Sequence, residues 1–164
     1  MKKYPVIIGR FEHIDIVEKL ETIPAKIDTG AYRSSIHSTN IHIETKNNVD
    51  YLCFTILGHP SFKKKCNVRT RHFRKVVVTS SNGHAATRFK VRLKIRLGYK
   101  IFQTSFTLAD RTHTTFPILI GRKGIRNKFL VDAAMSGVSR RELKIVASEL
   151  IKQSDEEYLE ELEQ

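Results

Sequence analysis

An aspartate that closes an apolar strand and is followed by Thr-Gly can hold a carboxylate in one place. The chain has one such stretch, PAKIDTGAYRSS at residues 24–35. Ala25, Lys26 and Ile27 extend as a strand, and Gly30 permits a tight turn and a close backbone approach that a Cβ would block. Asp28 then projects from a rigid strand end, while Thr29 can bury its hydroxyl in a hydrogen bond beneath the loop. Two carboxylates sharing one proton can hydrolyse an amide: one deprotonates water while its protonated partner polarises the scissile carbonyl. Like charges roughly 3 Å apart cannot both ionise, so such a pair titrates as a unit. With a single Asp-Thr-Gly per chain, the second carboxylate has to come from another copy across a two-fold axis. Taken alone, the tripeptide reads better as a turn, where Asp and Gly are favoured.

Other chemistry finds less support. Cys53 and His59 share a five-residue gap with Cys66 and His72, but this spacing is wider than structural zinc sites use. No His-Glu-x-x-His occurs, nor any Gly-rich phosphate cradle, so neither a metal nor another cofactor is expected. No nucleophile elbow supports a Ser/His/Asp triad. His37, in an alternating strand, reads as a half-buried polar residue.

The chain around this motif is basic. Its 164 residues carry a net charge of +12, and six of the 17 acids fall in the last ten residues, DEEYLEELEQ. No acid stands between Asp50 and Asp110, whereas residues 63–100 hold 13 lysines and arginines. Such a field attracts polyanions, whether nucleic acid or acidic peptide. Phe62, Phe73, Phe89 and Tyr99 lie in or beside the basic run and could stack bases, so a basic β-barrel binding nucleic acid is a rival reading. The acidic end could mimic a substrate, cap the basic face, or simply solubilise the chain. Two cysteines are no disulfide framework, and no apolar run approaches the roughly 20 residues that span a bilayer. Residues 6–8 are too short an apolar core for a signal peptide, so a cytoplasmic protein with no membrane attachment is expected.

Strand signals position the motif. Short β runs fall at 6–8, 14–17 and 23–28, alternation runs through 35–44, and 51–57 and 75–80 are apolar enough to be largely buried. Asn82-Gly83 signals a two-residue hairpin. Beyond it, Phe89, Val91, Leu93, Ile95 and Leu97 alternate with Lys or Arg, which buries one face and leaves a ladder of positive charge on the other. Further strands are expected in 101–110 and 115–121. Helical character comes late, with Ser139 and Glu142 at capping-box spacing, and Ser154 with Glu157 repeating the pattern for a short acidic helix or a frayed tail. The expected fold is mostly β and barrel-like, with one or two C-terminal helices.

Three segments in this order resemble the retropepsin-like aspartic peptidases, and more narrowly a bacterial and archaeal family that has carried the label "ATP-dependent zinc protease". They are AKIDTGAYRSSIHS (25–38), VTSSNGHAATRF (78–89) and the stretch 105–132 with Ile-Leu-Ile-Gly-Arg at 118–122. The resemblance implies a partly closed acid-protease β-barrel over residues 1–138, with 139–164 as a helical, acidic extension. It implies a homodimer in which Asp28 is the catalytic acid and base, Thr29 and Gly30 shape its loop, and Asn82 and Gly83 form a flap tip. It further implies a substrate like the glutamate tails that ATP-grasp ligases add. Arg88, Arg111 and Arg122 are then the candidates to grip substrate carboxylates in bidentate fashion; pairing within the fold, such as Arg111 with Asp110, is the competing role. The pattern departs after the motif: Tyr32 stands where viral retropepsins keep an acid for the arginine after Ile-Gly, so Arg122 must find another partner. A retropepsin fold that has lost activity and only binds acidic tails is the remaining alternative.

Overall fold

The computed structural model describes residues 5–80 and 82–162, the side chains at 150 and 153–162 excepted. Eleven strands and two helices are described, beginning with β1 (Val6–Ile8), β2 (Phe11–Ile16), β3 (Leu20–Ile27), β4 (Ser34–Lys46) and β5 (Val49–His59). They continue with β6 (Phe62–Thr70), β7 (Phe73–Thr79), β8 (Ala85–Leu97), β9 (Lys100–Ala109), β10 (Ile118–Ile120), α1 (Arg122–Ile125), β11 (Phe129–Val131) and α2 (Arg140–Leu162). Six strands close into a barrel in the order β10, β3, β2, β8, β9, β4, because the short β10 pairs on both sides. It runs parallel to β3, with Leu119 beside Lys26, and antiparallel to β4, with Ile118 beside Ile36. Closure removes the exposed sheet edge within the ring. The barrel is filled by isoleucines on alternate positions, among them Ile14, Ile23, Ile36, Ile95, Ile118 and Ile120, each at most 1% exposed. β-Branched side chains suit this pleated, tightly curved interior.

β8 shows the cause of its own burial. Val91, Leu93, Ile95 and Leu97 are buried while Arg92, Lys94 and Arg96 are exposed, as the period of two predicts. β7 departs from expectation. Apolar as it is, residues 75–79 are not largely buried, and Val77 is 63% exposed. The reason is topological: β7 pairs with β8 but lies off the ring, so it forms one arm of a projecting hairpin. β4, β5 and β6 form an antiparallel meander in which Leu52, Phe54, Ile56 and Leu57 of β5 are buried and Phe62, Cys66 and Val68 of β6 pack against the core.

α2 begins as predicted, with the Glu142 amide donating to Ser139 Oγ at 3.2 Å. The Glu142 carboxylate does not reach back to the cap. It binds His13 Nε2 on β2 at 2.8 Å and, with buried Val146, fixes the first turns of α2 against the barrel. No second helix starts at Ser154: α2 continues through that position as one helix to Leu162. The side chains of the acidic stretch lie outside the described ones.

Candidate active site

Asp28 follows the last residue of β3, where the chain leaves the barrel wall. Its backbone amide donates to the Ile120 carbonyl at 2.9 Å, extending the parallel β3–β10 pairing by one rung. Its carboxylate is oriented locally: Oδ1 accepts from the Gly30 amide at 2.9 Å and from the Ala31 amide at 3.2 Å. These bonds hold the group in place through Oδ1. Asp28 is half-buried, while Thr29 and Gly30 are exposed.

The segment that follows β10, Gly121 and the start of α1, locks the loop. The Arg122 amide donates to the Ala31 carbonyl at 2.8 Å and the Lys123 amide to the Tyr32 carbonyl at 3.0 Å. The Gly121 amide donates to buried Ser34 Oγ at 3.1 Å. A Cβ at residue 121 would stand 2.5 Å from the Arg33 carbonyl oxygen, so only glycine lets the two segments cross. This is why Ile-Gly-Arg and Asp-Thr-Gly-Ala have to occur together: each is the other's packing surface.

Arg122 finds the partner that its missing acid would have supplied. Nη1 donates to the Thr29 carbonyl at 3.1 Å, and the guanidinium lies 5.9 Å from the centroid of the Tyr32 ring. Thr29 is thus tied through its carbonyl, its side chain being on the surface of the protomer. Thr29, Tyr32, Arg122 and Ile125 line a recess of about 270 Å³ on this face, and Tyr32 is 49% exposed.

Arg111 is bound more deeply. Its Nε donates to the Phe116 carbonyl at 2.9 Å and Nη1 to Ser35 Oγ at 3.0 Å. Burial pulls the guanidinium down to about 10, the charge of Arg88 pulls the same way, and the carboxylate of Asp28 opposes them. Arg111 therefore remains charged at neutral pH, and the three groups lie close enough to feel one another. Arg111 does not pair with Asp110. That carboxylate accepts from the Thr112 amide at 2.9 Å and from Thr112 Oγ1 at 2.5 Å.

Two histidines hold Arg111 by its backbone. His37 Nδ1 accepts from the Arg111 amide at 2.9 Å, and His59 Nε2 donates to the Arg111 carbonyl at 2.7 Å. His59 Nδ1 accepts from the Ser61 amide at 3.0 Å, which fixes its tautomer. The rings meet edge to face, their centroids 5.2 Å apart. Burial lowers both histidines, His59 to about 4, so both are neutral at pH 7. A β-bulge turns His59 inward: Leu57 and Gly58 have φ of 67° and 69°, and the register slips between Leu57 and His59. His37 is thus fully buried, where alternation in β4 suggested half. Sequence reasoning missed this clasp, because the alternating pattern says nothing of a bulge two residues before a histidine.

The residues expected to form a flap tip lie at the β7–β8 hairpin. Asn82 and Gly83 are exposed at the end of the β7–β8 hairpin. The turn is longer than the two residues their dipeptide predicts. The Gly83 amide donates to the Ser80 carbonyl at 3.0 Å and the Ser80 amide to the His84 carbonyl at 2.8 Å, with Gly83 in the left-handed region at φ 79°. Ser81 lies outside the described residues.

Cys53, His59, Cys66 and His72 do not assemble as a set, and His59 has both ring nitrogens engaged with backbone. A different trio converges on β4 and β5: ligand atoms of His42, Glu44 and Cys53 lie within 4.8 Å of one another. Arg69 stands 4.0 Å from Glu44, and burial followed by the Glu44 carboxylate pushes the Cys53 thiol up. Both effects work against a cation there.

Known proteins place these features in context. A protein of unknown function from Legionella pneumophila, assigned to the domain family DUF785, superposes with a TM-score of 0.66 at 29% identity, covering 81% of this chain and 97% of its own. A Desulfotalea psychrophila protein named "Probable alpha-L-glutamate ligase" is 29% identical over 79% of this chain. A Shewanella pealeana protein of the same name is 32% identical over 70%. The match takes in only 28% and 25% of the length of these two relatives. A family model described as the retropepsin-like aspartic endopeptidase RimB matches residues 7–142. With the closed barrel, the Asp28 loop locked by the segment after β10 and this match over most of its length, the chain belongs to the RimB-like family of retropepsin-like aspartic endopeptidases.

Proposed function

We propose that the protein is an aspartic peptidase that works as a two-fold dimer on acidic, glutamate-rich peptides. The observation that carries this reading is the Asp28 carboxylate itself. It is rigidly oriented by two backbone amides at the end of a barrel strand, half-exposed, on a face where Thr29, Gly30 and Tyr32 are also open. One such carboxylate is half of a catalytic pair, and a second copy of the same face supplies the other half. One Asp28 takes a proton from water as the resulting hydroxide adds to the scissile carbonyl carbon. The protonated Asp28 of the second copy donates to the carbonyl oxygen. The tetrahedral intermediate collapses as the C–N bond breaks and the leaving nitrogen takes up a proton.

Acidic substrates are favoured by the charge around the site, with Arg88 and Arg111 near Asp28 and Arg122 on the rim. Relatives named as glutamate ligases share this segment within a longer chain, which fits glutamate as the common chemical theme. Three of the four aromatics suggested as base-stacking platforms, Phe62, Phe73 and Phe89, pack against the core, while Tyr99 is 77% exposed. This disfavours nucleic-acid binding through stacking. Unpaired Cys53 and Cys66 fit a cytoplasmic setting; among the described residues no helix is long and apolar enough to cross a membrane.

Glutamate oligomers and acidic peptides incubated with wild type and Asp28→Asn provide the test, alongside molar mass in solution. Turnover by a dimeric wild type that falls to background in Asp28→Asn is expected. Equal activity in both proteins sinks the carboxylate pair, and binding without turnover by wild type leaves the inactive tail-binding reading in its place.

A further inference from the structure

The outer face of the β7–β8 hairpin base carries a charge arrangement that the fold does not require. Arg74 on β7 and Lys90 on β8 are direct cross-strand partners, and like charges in that position are destabilising. Arg92, two residues on, shares Lys90's face of the strand. Lys123 of α1 joins them in lining a recess of about 470 Å³, with Arg71 at its edge and no acid in its wall. Desolvation lowers Lys90 first, and the charges of Lys123, Arg33 and Arg74 lower it further. Lys90 is therefore held close enough to three other cations to feel their charge, and Lys90 and Arg74 fall in the stretch between residues 50 and 110 where the sequence places no acid.

The recess shares a wall with the catalytic loop. The Lys123 amide is bonded to the Tyr32 carbonyl, and the Arg33 guanidinium lies 5.9 Å from the centroid of the Tyr32 ring. Its phenyl ring, Phe73, is packed edge to face on Phe89 at 5.8 Å, and Lys75 lies 5.6 Å from the centroid of the Phe89 ring. His72 is the one ring of the wall open to a nucleobase, whereas five cations line it, three of them arginines whose planar guanidinium can grip a carboxylate in bidentate fashion.

We propose that this recess is a second, carboxylate-binding station that holds an acidic peptide by side chains remote from the bond that is cut. Its effect on turnover rests on the peptidase reading, whereas its binding does not. The repulsion between Arg74 and Lys90 is then relieved when the substrate arrives, so the station selects for chains long enough to reach both places.

The test separates the two. In an Asp28→Asn background, binding of a fluorescent glutamate oligomer is measured with the recess intact, with Lys90→Glu plus Arg74→Glu, and with Lys90→Gln plus Arg74→Gln. The neutral pair removes a repulsion and keeps the fold, as circular dichroism checks. An affinity loss of about tenfold or more, with a shallower salt dependence, is expected in both doubles. In the active protein the same changes raise KM for long oligomers with kcat held, and leave a triglutamate unaffected. Unchanged affinity in both doubles overturns the station. A uridine oligomer of equal charge that binds more tightly, and loses its affinity in the same variants, overturns it in favour of nucleic acid. Station-dependent binding without hydrolysis by wild type defeats the peptidase reading and leaves the station standing.

Discussion

Arg111 and Arg122 both place a positive charge near the Asp28 loop, and the chain holds them in opposite ways. Arg111 is largely buried, its guanidinium bonded to Ser35 and to the Phe116 carbonyl, its backbone clasped by His37 and His59. Arg122 is on the surface, with one bond to the Thr29 carbonyl and an aromatic ring beside it. Beneath Asp28, then, the polar groups are tied within the protomer, while around its rim they face outward. The floor of the site is finished on folding. The rim is left open, as the proposed site shared between two copies requires.

The contrast is broken most directly at Arg111. Arg111→Met removes two donated hydrogen bonds: the Phe116 carbonyl keeps only the one from Thr114 Oγ1 at 3.1 Å, and the part-buried Ser35 hydroxyl loses its guanidinium donor. A loss of about 3 kcal/mol in urea unfolding is expected, since hydrogen bonds to a charged group contribute roughly 1.5–3 kcal/mol each. A loss under about 1 kcal/mol would place Arg111 on the rim with Arg122 and dissolve the distinction.

The histidine clasp sharpens it through pH. His59 has an ordinary value of 6.5 and is held at about 4 by burial. The unfolded chain takes up this proton near pH 6.5, whereas the folded chain resists it down to about 4. Stability from this group is therefore complete above pH 6.5 and is lost as pH falls toward 4, a drop of about 3 kcal/mol. His37, lowered for the same reason, acts in the same direction. His59→Gln should be less stable at pH 7 but show a flatter dependence between pH 6.5 and 4. Parallel curves for the two proteins would mean that His59 does not govern the floor.

How much of this was legible in the sequence follows the same division. The barrel, the β8 alternation and the Asp28 loop could be read because each depends on local periodicity or on a turn demanding glycine. Ile-Gly-Arg was readable as a companion of the loop, but only the crossing of Gly121 over Arg33 gives the reason. The floor was not legible, since it joins Ser35, His37, His59 and Arg111 from two strands and a loop, through bonds made largely to backbone. β6 was hidden as well: Lys63, Lys64 and Lys65 interrupt the pattern, and only Phe62, Cys66 and Val68 turn toward the core. The 75–79 stretch misled in the other direction, because hydrophobicity cannot say that a strand lies outside the ring.

Arg122 gives the smallest expected effect and the finest discrimination. Its guanidinium bond is solvent-facing, and exposed interactions of this kind contribute about 0–1 kcal/mol. Arg122→Ala should therefore leave the unfolding midpoint of the protomer nearly unchanged, measured dilute enough that any dimer has dissociated. If the rim is completed by a second copy, the same variant should weaken self-association, because Thr29 and Tyr32 lose the group that orders them on the shared face. Sedimentation of wild type and Arg122→Ala over a concentration series reads this directly. A variant that lowers protomer stability as much as Arg111→Met, or that leaves association untouched, shows that Arg122 belongs to the floor or has no part in the rim.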